Sequence, residues 1–196
     1  MVGMKDDVPG LDVPGERHDT ERALAMAFRS LAGGDVSALD VVWERAGARI
    51  HGLALWRTGN PEDAADVVQD VFIRIAEKAR TLGKTHNPTG WLMTVTHRIA
   101  IDHIRRRRIR ATEPLEECHY LAAPDADPAG TVEANRASRL IHRLPPEQRE
   151  AIFLRLFTGC TFAEIGKITG KPRFTAASRY RAAVAKLREL FDKGES

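Results

Sequence analysis

The sequence has few cysteines and no long apolar run, and each shortage excludes a class of protein. Its 196 residues include only two cysteines, Cys118 and Cys160, and these have neither zinc-site spacing nor a disulfide framework. We therefore expect two free thiols in a reducing cytoplasm. No apolar stretch approaches the roughly 18 residues that would indicate a transmembrane helix, and the N-terminus lacks the features of a secretory signal.

Signals for catalysis and for cofactor binding are also missing. The sequence contains no P-loop, no nucleophile elbow and no zinc signature. His97, Asp102 and His103 are the group that could suggest a metal-dependent enzyme, but their spacing does not bring all three to one face of a helix. We predict no enzyme activity, no metal and no cofactor.

Strand signals are equally scarce, because alternating apolar residues do not occur between turn dipeptides. Apolar residues instead recur at helical spacing, which predicts an all-α fold. Asn60 before Pro61, and Asn87 before Pro88, are typical of capped helix starts. Trp43 belongs to the apolar set of the predicted second helix, so we expect it in the core.

Charge and composition divide the chain into blocks. Residues 21–110 carry 15 lysines and arginines against 10 acidic residues, and residues 136–196 carry 13 against six. Between them, residues 111–135 carry six acidic residues, three prolines and neither lysine nor arginine. We predict two small helical domains joined by a flexible acidic linker, after a disordered N-terminus over residues 1–20. Basic blocks of this kind suggest a polyanionic partner such as nucleic acid.

The helix predicted to follow Asn87 changes character along its length. Apolar side chains such as Trp91 and Ile101 predict that its first half is buried. Arginines crowd its end, at Arg105, Arg106, Arg107, Arg108 and Arg110. A cationic helix end of this kind would release counterions from nucleic-acid phosphates but would specify little sequence.

The C-terminal block has the pattern of a helix-turn-helix DNA reader. A short helix that ends at Gly170 precedes a longer one, in which Tyr180 and Phe191 belong to an apolar stripe. The opposite face carries small and hydroxyl side chains with arginines at its edges, which suits a DNA groove. The predicted groove-facing residues are Arg173, Thr175, Ser178, Arg179 and Arg181.

Three stretches together resemble the extracytoplasmic-function (ECF) sigma factors of bacterial RNA polymerase. "DAADVVQDVFIRI" (63–75) resembles the family's core-polymerase-binding helix, and "WLMTVTHRIAIDHIRRRRIR" (91–110) is similar to its promoter-melting helix. "LPPEQREAIFLRLFTGCTFAEIG" (144–166) followed by "SRYRAAVAKLR" (178–188) resembles its C-terminal helix-turn-helix. The resemblance extends over roughly residues 21–191.

The resemblance implies a factor that binds core RNA polymerase, directs it to promoters and helps to melt them. It assigns residues 21–110 to sigma region 2 and residues 136–196 to sigma region 4. The expected core-binding residues are Asp66, Gln69, Asp70 and Arg74. The expected contacts to the promoter −10 element are Lys84, Thr85, His86, Asn87, Trp91, Arg105, Arg106, Arg107 and Arg108. The groove-facing residues of the last helix become the expected −35 contacts.

The implied partners are core RNA polymerase, double-stranded promoter DNA with its opened non-template strand, and an anti-sigma factor, without membrane insertion. The linker would thread through the polymerase, where acidic side chains could mimic nucleic acid. These are Glu113, Glu116, Glu117, Asp125 and Asp127. The sequence departs from the family at Phe174, Ala177 and Ala182, where glycine or basic residues are common, so we expect fewer direct base contacts.

Two alternatives use less of the sequence. A helix-turn-helix regulator that acts without joining polymerase would explain residues 144–191, but it leaves residues 60–110 and the acidic linker without a role. A metal-dependent enzyme would rest on the two histidines and the aspartate described above.

Overall fold

The computed structural model describes residues 14–110, 140–141 and 143–192, without the side chains of residues 14–16, 108 and 110. These residues form seven α-helices and no strand, as predicted. The helices are α1 (Pro14–Ala32), α2 (Ala38–Thr58), α3 (Pro61–Leu82), α4 (Pro88–Arg110), α5 (Pro146–Leu156), α6 (Phe162–Thr169) and α7 (Arg173–Asp192). The predicted acidic linker lies outside the described residues. Among these seven helices, none is long and apolar enough to cross a membrane.

The first helix is longer than the sequence indicated, because it docks on the C-terminal part of the chain. It begins at Pro14, so residues 14–20 are helical and the prediction that they are disordered is wrong. The Arg17 guanidinium donates to the carbonyl of Gly159 and lies 3.4 Å from the Glu164 carboxylate. These contacts fix a turn that composition alone had assigned to a disordered segment.

Helices α1 to α4 form a bundle around a core that includes Phe28, Ile50 and Val71. Two residues predicted to be in this core are exposed instead: Trp43 is 56% exposed and Ile101 is 38% exposed. Neighbours such as Ile50 are fully buried, so the helix turns Trp43 to the rim of the bundle.

Helices α5 to α7 form a second, smaller group with the predicted helix-turn-helix order. Gly170 ends α6 with a left-handed φ of 66°, a conformation that favours glycine. Tyr180 and Ala183 of α7 are buried against this group, as predicted. The apolar stripe of α7 ends at Leu190, which is 8% exposed, whereas Phe191 is 38% exposed and does not belong to the core.

The two groups of helices pack directly against each other through α2 and α5. A Cβ on Gly52 would lie 2.7 Å from the Phe153 ring, so only glycine lets the two helices approach this closely. The Trp56 ring packs at an angle against Phe153 and edge to face against Phe157, with ring centroids 5.1 Å and 5.7 Å away. Leu154 joins the core of the N-terminal bundle. In the described residues the two groups of helices therefore pack together, an arrangement called closed below.

Candidate nucleic-acid interface

The outer face of α7 is open to solvent. Ala176, Tyr180 and Ala183 face the other helices and are buried. Of the predicted groove-facing residues, Arg173, Ser178 and Arg181 are exposed, and Thr175 and Arg179 are half-buried. Ala182 is also exposed on this face. The structure therefore brings the predicted residues together on one accessible surface.

This surface is strongly cationic. From Arg173 to Arg188 the helix contains four arginines and one lysine, and no acidic residue before Glu189. The helix N-terminus adds the partial positive charge of its free N–H groups. Such a surface suits phosphate positioning, while its hydroxyl and small side chains permit close approach to base edges.

The arginine-rich end of α4 forms a second cationic surface. Arg105 and Arg106 are exposed. Arg107 is also exposed, but its guanidinium pairs with the carboxylate of Asp63 in the first turn of α3. One of the predicted phosphate contacts therefore already has a partner within the chain.

The loop between α3 and α4 presents some of its predicted residues but not all of them. Lys84 and His86 are exposed, and Thr85 is half-buried. The Asn87 Oδ1 accepts from the Gly90 backbone N–H at 2.7 Å, which caps α4 as predicted, and its Nδ2 donates to Glu164 Oε1 at 2.8 Å.

Trp91 anchors α4 in the core. Its half-buried ring meets Phe28 edge to face, with centroids 5.7 Å apart. Because this ring packs against Phe28, Trp91 holds the start of α4 in the bundle. Its predicted contact with DNA has less direct support from the structure.

Glu164 links the helix-turn-helix to this loop. Its carboxylate accepts from the Thr161 backbone N–H at 2.7 Å, while the Thr161 hydroxyl accepts from the Glu164 N–H at 3.2 Å, which completes a capping box at the start of α6. Burial raises the pKa of the Glu164 carboxyl, but the Thr161 hydrogen bonds, Arg17 and Asn87 together lower it below its ordinary value. The carboxylate is thus held ionised at the junction.

A buried ionic group lies deeper in the same junction. Glu150 of α5 is 2% exposed and contacts Nδ1 of His97 on α4. Its other oxygen lies 3.6 Å from the Arg57 guanidinium on α2. A buried charge without a partner is costly. Removing any one of these three side chains should therefore weaken the packing of α5 on α2 and α4.

The histidines that suggested a metal site have other partners. His97 contacts Glu150, whereas His103 Nε2 lies 2.9 Å from Asp70 Oδ2 on α3. Within the described residues, no cluster of three or more histidine, cysteine or acidic side chains could hold a metal ion. Cys160 is buried, and burial raises the pKa of its thiol to about 11, so it is a poor nucleophile.

Helix α3 presents a mixed polar and apolar face. Asp66, Gln69 and Arg74 are exposed, whereas Asp70 is only partly exposed because it pairs with His103. Ile73 is 50% exposed on the same helix. Trp43 of α2 packs on the same helix, with its ring centroid 5.7 Å from that of Phe72. Because the sequence analysis placed Trp43 in the core, it missed this exposed aromatic side chain next to α3.

Family models match both groups of helices. The Sigma-70 region 2 model matches residues 42–109, and the Sigma-70, region 4 model matches residues 134–187. The chain is 33% identical over 180 residues to the ECF RNA polymerase sigma factor SigF of Caulobacter vibrioides, which covers 90% of this chain and 98% of the relative. It is 30% identical over 177 residues to SigM of Mycobacterium tuberculosis, covering 90% and 87%.

The chain belongs to the ECF sigma factors.

Solved structures agree with this fold. The ECF sigma factor resembles RpoE of Bartonella quintana, solved with the anti-sigma factor NepR, with a TM-score of 0.67 at 21% identity over 80% of this chain and 98% of that one. It also resembles CnrH, solved with the cytosolic domain of CnrY, with a TM-score of 0.60 at 22% identity over 89% and 99%. The family models and the sequence relatives confirm the predicted family, and the role of each predicted contact residue in this ECF sigma factor stays a prediction.

Proposed function

We propose that the protein is an alternative sigma factor that binds core RNA polymerase, directs it to specific promoters and assists their melting. The observation that carries this proposal is the combination of two matched sigma modules, in order, with an open cationic recognition helix, α7. The factor acts without catalysis of its own and without a cofactor, in the cytoplasm.

Core binding is assigned to the exposed face of α3. Asp66, Gln69 and Arg74 supply polar contacts, and the exposed Ile73 and Trp43 supply apolar area. Interfaces gain most of their affinity from a few anchors of this kind, with aromatic residues prominent among them. Asp70 contributes less directly, because its carboxylate already holds His103.

Promoter melting and −10 recognition are assigned to the loop before α4 and to the end of that helix. Lys84, Thr85 and His86 line the loop surface, and Asn87 completes it once Glu164 releases its side chain. The arginine run provides sequence-independent attraction to phosphates.

Recognition of the −35 element is assigned to α7, through the five residues named for that face. Their arginines position the helix on phosphates or guanine edges, and Ser178 and Thr175 face the groove. Since Ala177 and Ala182 cannot donate hydrogen bonds, DNA shape contributes more to recognition here.

Two further expectations follow from the same assignment, one about a partner and one about the linker. An anti-sigma factor would hold the chain away from polymerase until a signal releases it. The acidic linker residues, which lie outside the described residues, would occupy the nucleic-acid path inside the polymerase.

Run-off transcription tests the whole proposal. The protein is mixed with core RNA polymerase and genomic DNA of its host, and transcript start sites are mapped. We expect new start sites that share two upstream elements and that are absent with core polymerase alone. Binding to those promoters without any association with core polymerase would instead identify a regulator that acts without joining the enzyme.

A further inference from the structure

The recognition helix begins with a large apolar side chain in solvent. Phe174 is 70% exposed, although the Arg173 guanidinium lies over its ring at 4.8 Å from the centroid. Exposed phenylalanine gains nothing for folding, since its apolar surface stabilises a protein only when it leaves water. A bound partner would remove this apolar surface from water, and Phe174 lies on the helix that is assigned to DNA.

Phe174 is aligned with two residues of the proposed DNA-reading face. Phe174, Ser178 and Arg181 are separated by four and three positions, so they form one row along α7. All three are exposed. The row starts at the helix N-terminus, which is the part of a recognition helix that reaches base edges.

The charges near Phe174 indicate which kind of partner would cover its ring. Arg173 lies over the ring, Arg179 and Arg181 follow on the same helix, and no acidic residue precedes Glu189 there. An apolar ring on a helix that is otherwise cationic matches the DNA major groove, where phosphates border the groove and the thymine C5-methyl is the apolar group that bases display. The same cationic helix would repel a basic protein surface.

We propose that Phe174 is a specificity-determining residue that contacts the methyl group of a thymine in the −35 element. This inference rests on the proposed function, because it assumes that α7 enters the promoter major groove. Arg173, stacked on the ring, then lies beside the adjacent phosphate.

A selection experiment tests the thymine preference. Holoenzymes carrying the wild-type factor, Phe174→Ala or Phe174→Leu select promoters from a library with a randomised −35 region. We expect the wild-type and leucine forms to prefer thymine at one position and the alanine form to lose that preference. Val36→Ala is the control, because Val36 is also 70% exposed but lies outside the recognition helix.

Removing the methyl group from the DNA completes the test. In a selected promoter, thymine is replaced by uracil at that position, and holoenzyme affinity is measured. The wild-type holoenzyme should lose affinity by about fourfold, the factor expected for one buried methyl group. The Phe174→Ala holoenzyme should bind both duplexes equally, since a double-mutant cycle isolates the contact.

Other outcomes overturn the proposal. An unchanged selection pattern with Phe174→Ala would show that the ring reads no base. A uniform loss of affinity with a shallower salt dependence would show that it only positions Arg173. Weakened association with core polymerase would place the ring in a protein interface.

The failure of the proposed function is separable from the failure of this inference. The same selection is run with the free full-length chain, whose α7 face is exposed. If the chain never joins core polymerase but still prefers a thymine that Phe174→Ala ignores, the sigma-factor proposal falls and the methyl contact stands.

Discussion

The Asn87 amide donates a hydrogen bond of 2.8 Å to the Glu164 carboxylate, and this bond joins region 2 to region 4. Asn87 is a predicted −10 contact, and Glu164 caps the first helix of the helix-turn-helix. The N–H that Glu164 accepts is not available to a promoter base while the two regions stay packed. We therefore expect the regions to separate when the factor engages the −10 element.

Replacing Gly52 with alanine should separate the two regions without disturbing either one. The new Cβ would lie 2.7 Å from the Phe153 ring, which is itself packed among aromatic neighbours. Alanine favours the helix by about 1 kcal/mol over glycine, so α2 itself should not suffer. Small-angle X-ray scattering should give a larger radius of gyration.

Gly47→Ala is the matched control for this change. It lies in the same helix, but the atoms nearest to its Cβ would belong to the side chain of the largely exposed Trp43, at 3.0 Å. Equal radii for both variants and the wild type would show that the α2–α5 contact does not hold the regions together.

Acid should loosen the junction through Glu164. The pKa of its carboxyl is below the ordinary value of 4.5. Its contribution to the free energy of unfolding is therefore complete above that value and is lost as pH falls through the lower pKa of the folded state. Glu164→Gln should flatten this part of the pH dependence in urea unfolding, whereas Glu147→Gln, on an exposed part of α5, should not. If the free energy of unfolding depends on pH in the same way in both variants, Glu164 is not the group responsible.

Reversing the charge of Asp66 should weaken association with core polymerase. Asp66 is the cleaner target, because Asp70 pairs with His103 and its replacement would also disturb α4. We expect Asp66→Lys to reduce core binding at least tenfold, about 1.4 kcal/mol, with unchanged circular dichroism. Glu147→Lys makes the same charge change away from α3, and a comparable loss in that variant would indicate a non-specific charge effect.

The arginine run should contribute unequally to promoter affinity. Each duplex phosphate contact adds about 0.9 to the slope of log affinity against log salt. Changing Arg105 and Arg106 together to glutamine should make the slope for the holoenzyme shallower by about 1.8, the sum of two such contacts. Arg107→Gln should lower it less, because Arg107 is paired with Asp63.

Asp63→Asn tests that pairing from the other side, since it frees Arg107 and should steepen the slope. If Arg107→Gln lowers the slope by half as much as the joint change of Arg105 and Arg106, the Asp63 pair does not survive on DNA.

Local features of the fold were predictable from the sequence. Asn60 and Asn87 cap their helices as expected, because a cap needs only side chains within a few residues of each other. The family was also identified correctly from three stretches in order. Trp43 was assigned wrongly, because an apolar residue beside a buried face still matches helical spacing.

The packing of region 4 on region 2 was not predictable in this way. It depends on pairs far apart in sequence, such as His97 with Glu150, and on Gly52, which inside a helix gives no signal of a partner. The acidic linker suggested separate domains, because composition describes a connection and not the surfaces on either side of it.

The exposed α7 face and the occupied Asn87 side chain have a consequence for timing. A chain in the closed arrangement can meet the upstream part of a promoter, yet it withholds one of the groups needed downstream. Recognition would then proceed in two steps, with strand opening delayed until polymerase has drawn the two regions apart. Such an order would keep the free factor from contributing to strand opening, even when its recognition helix already contacts DNA.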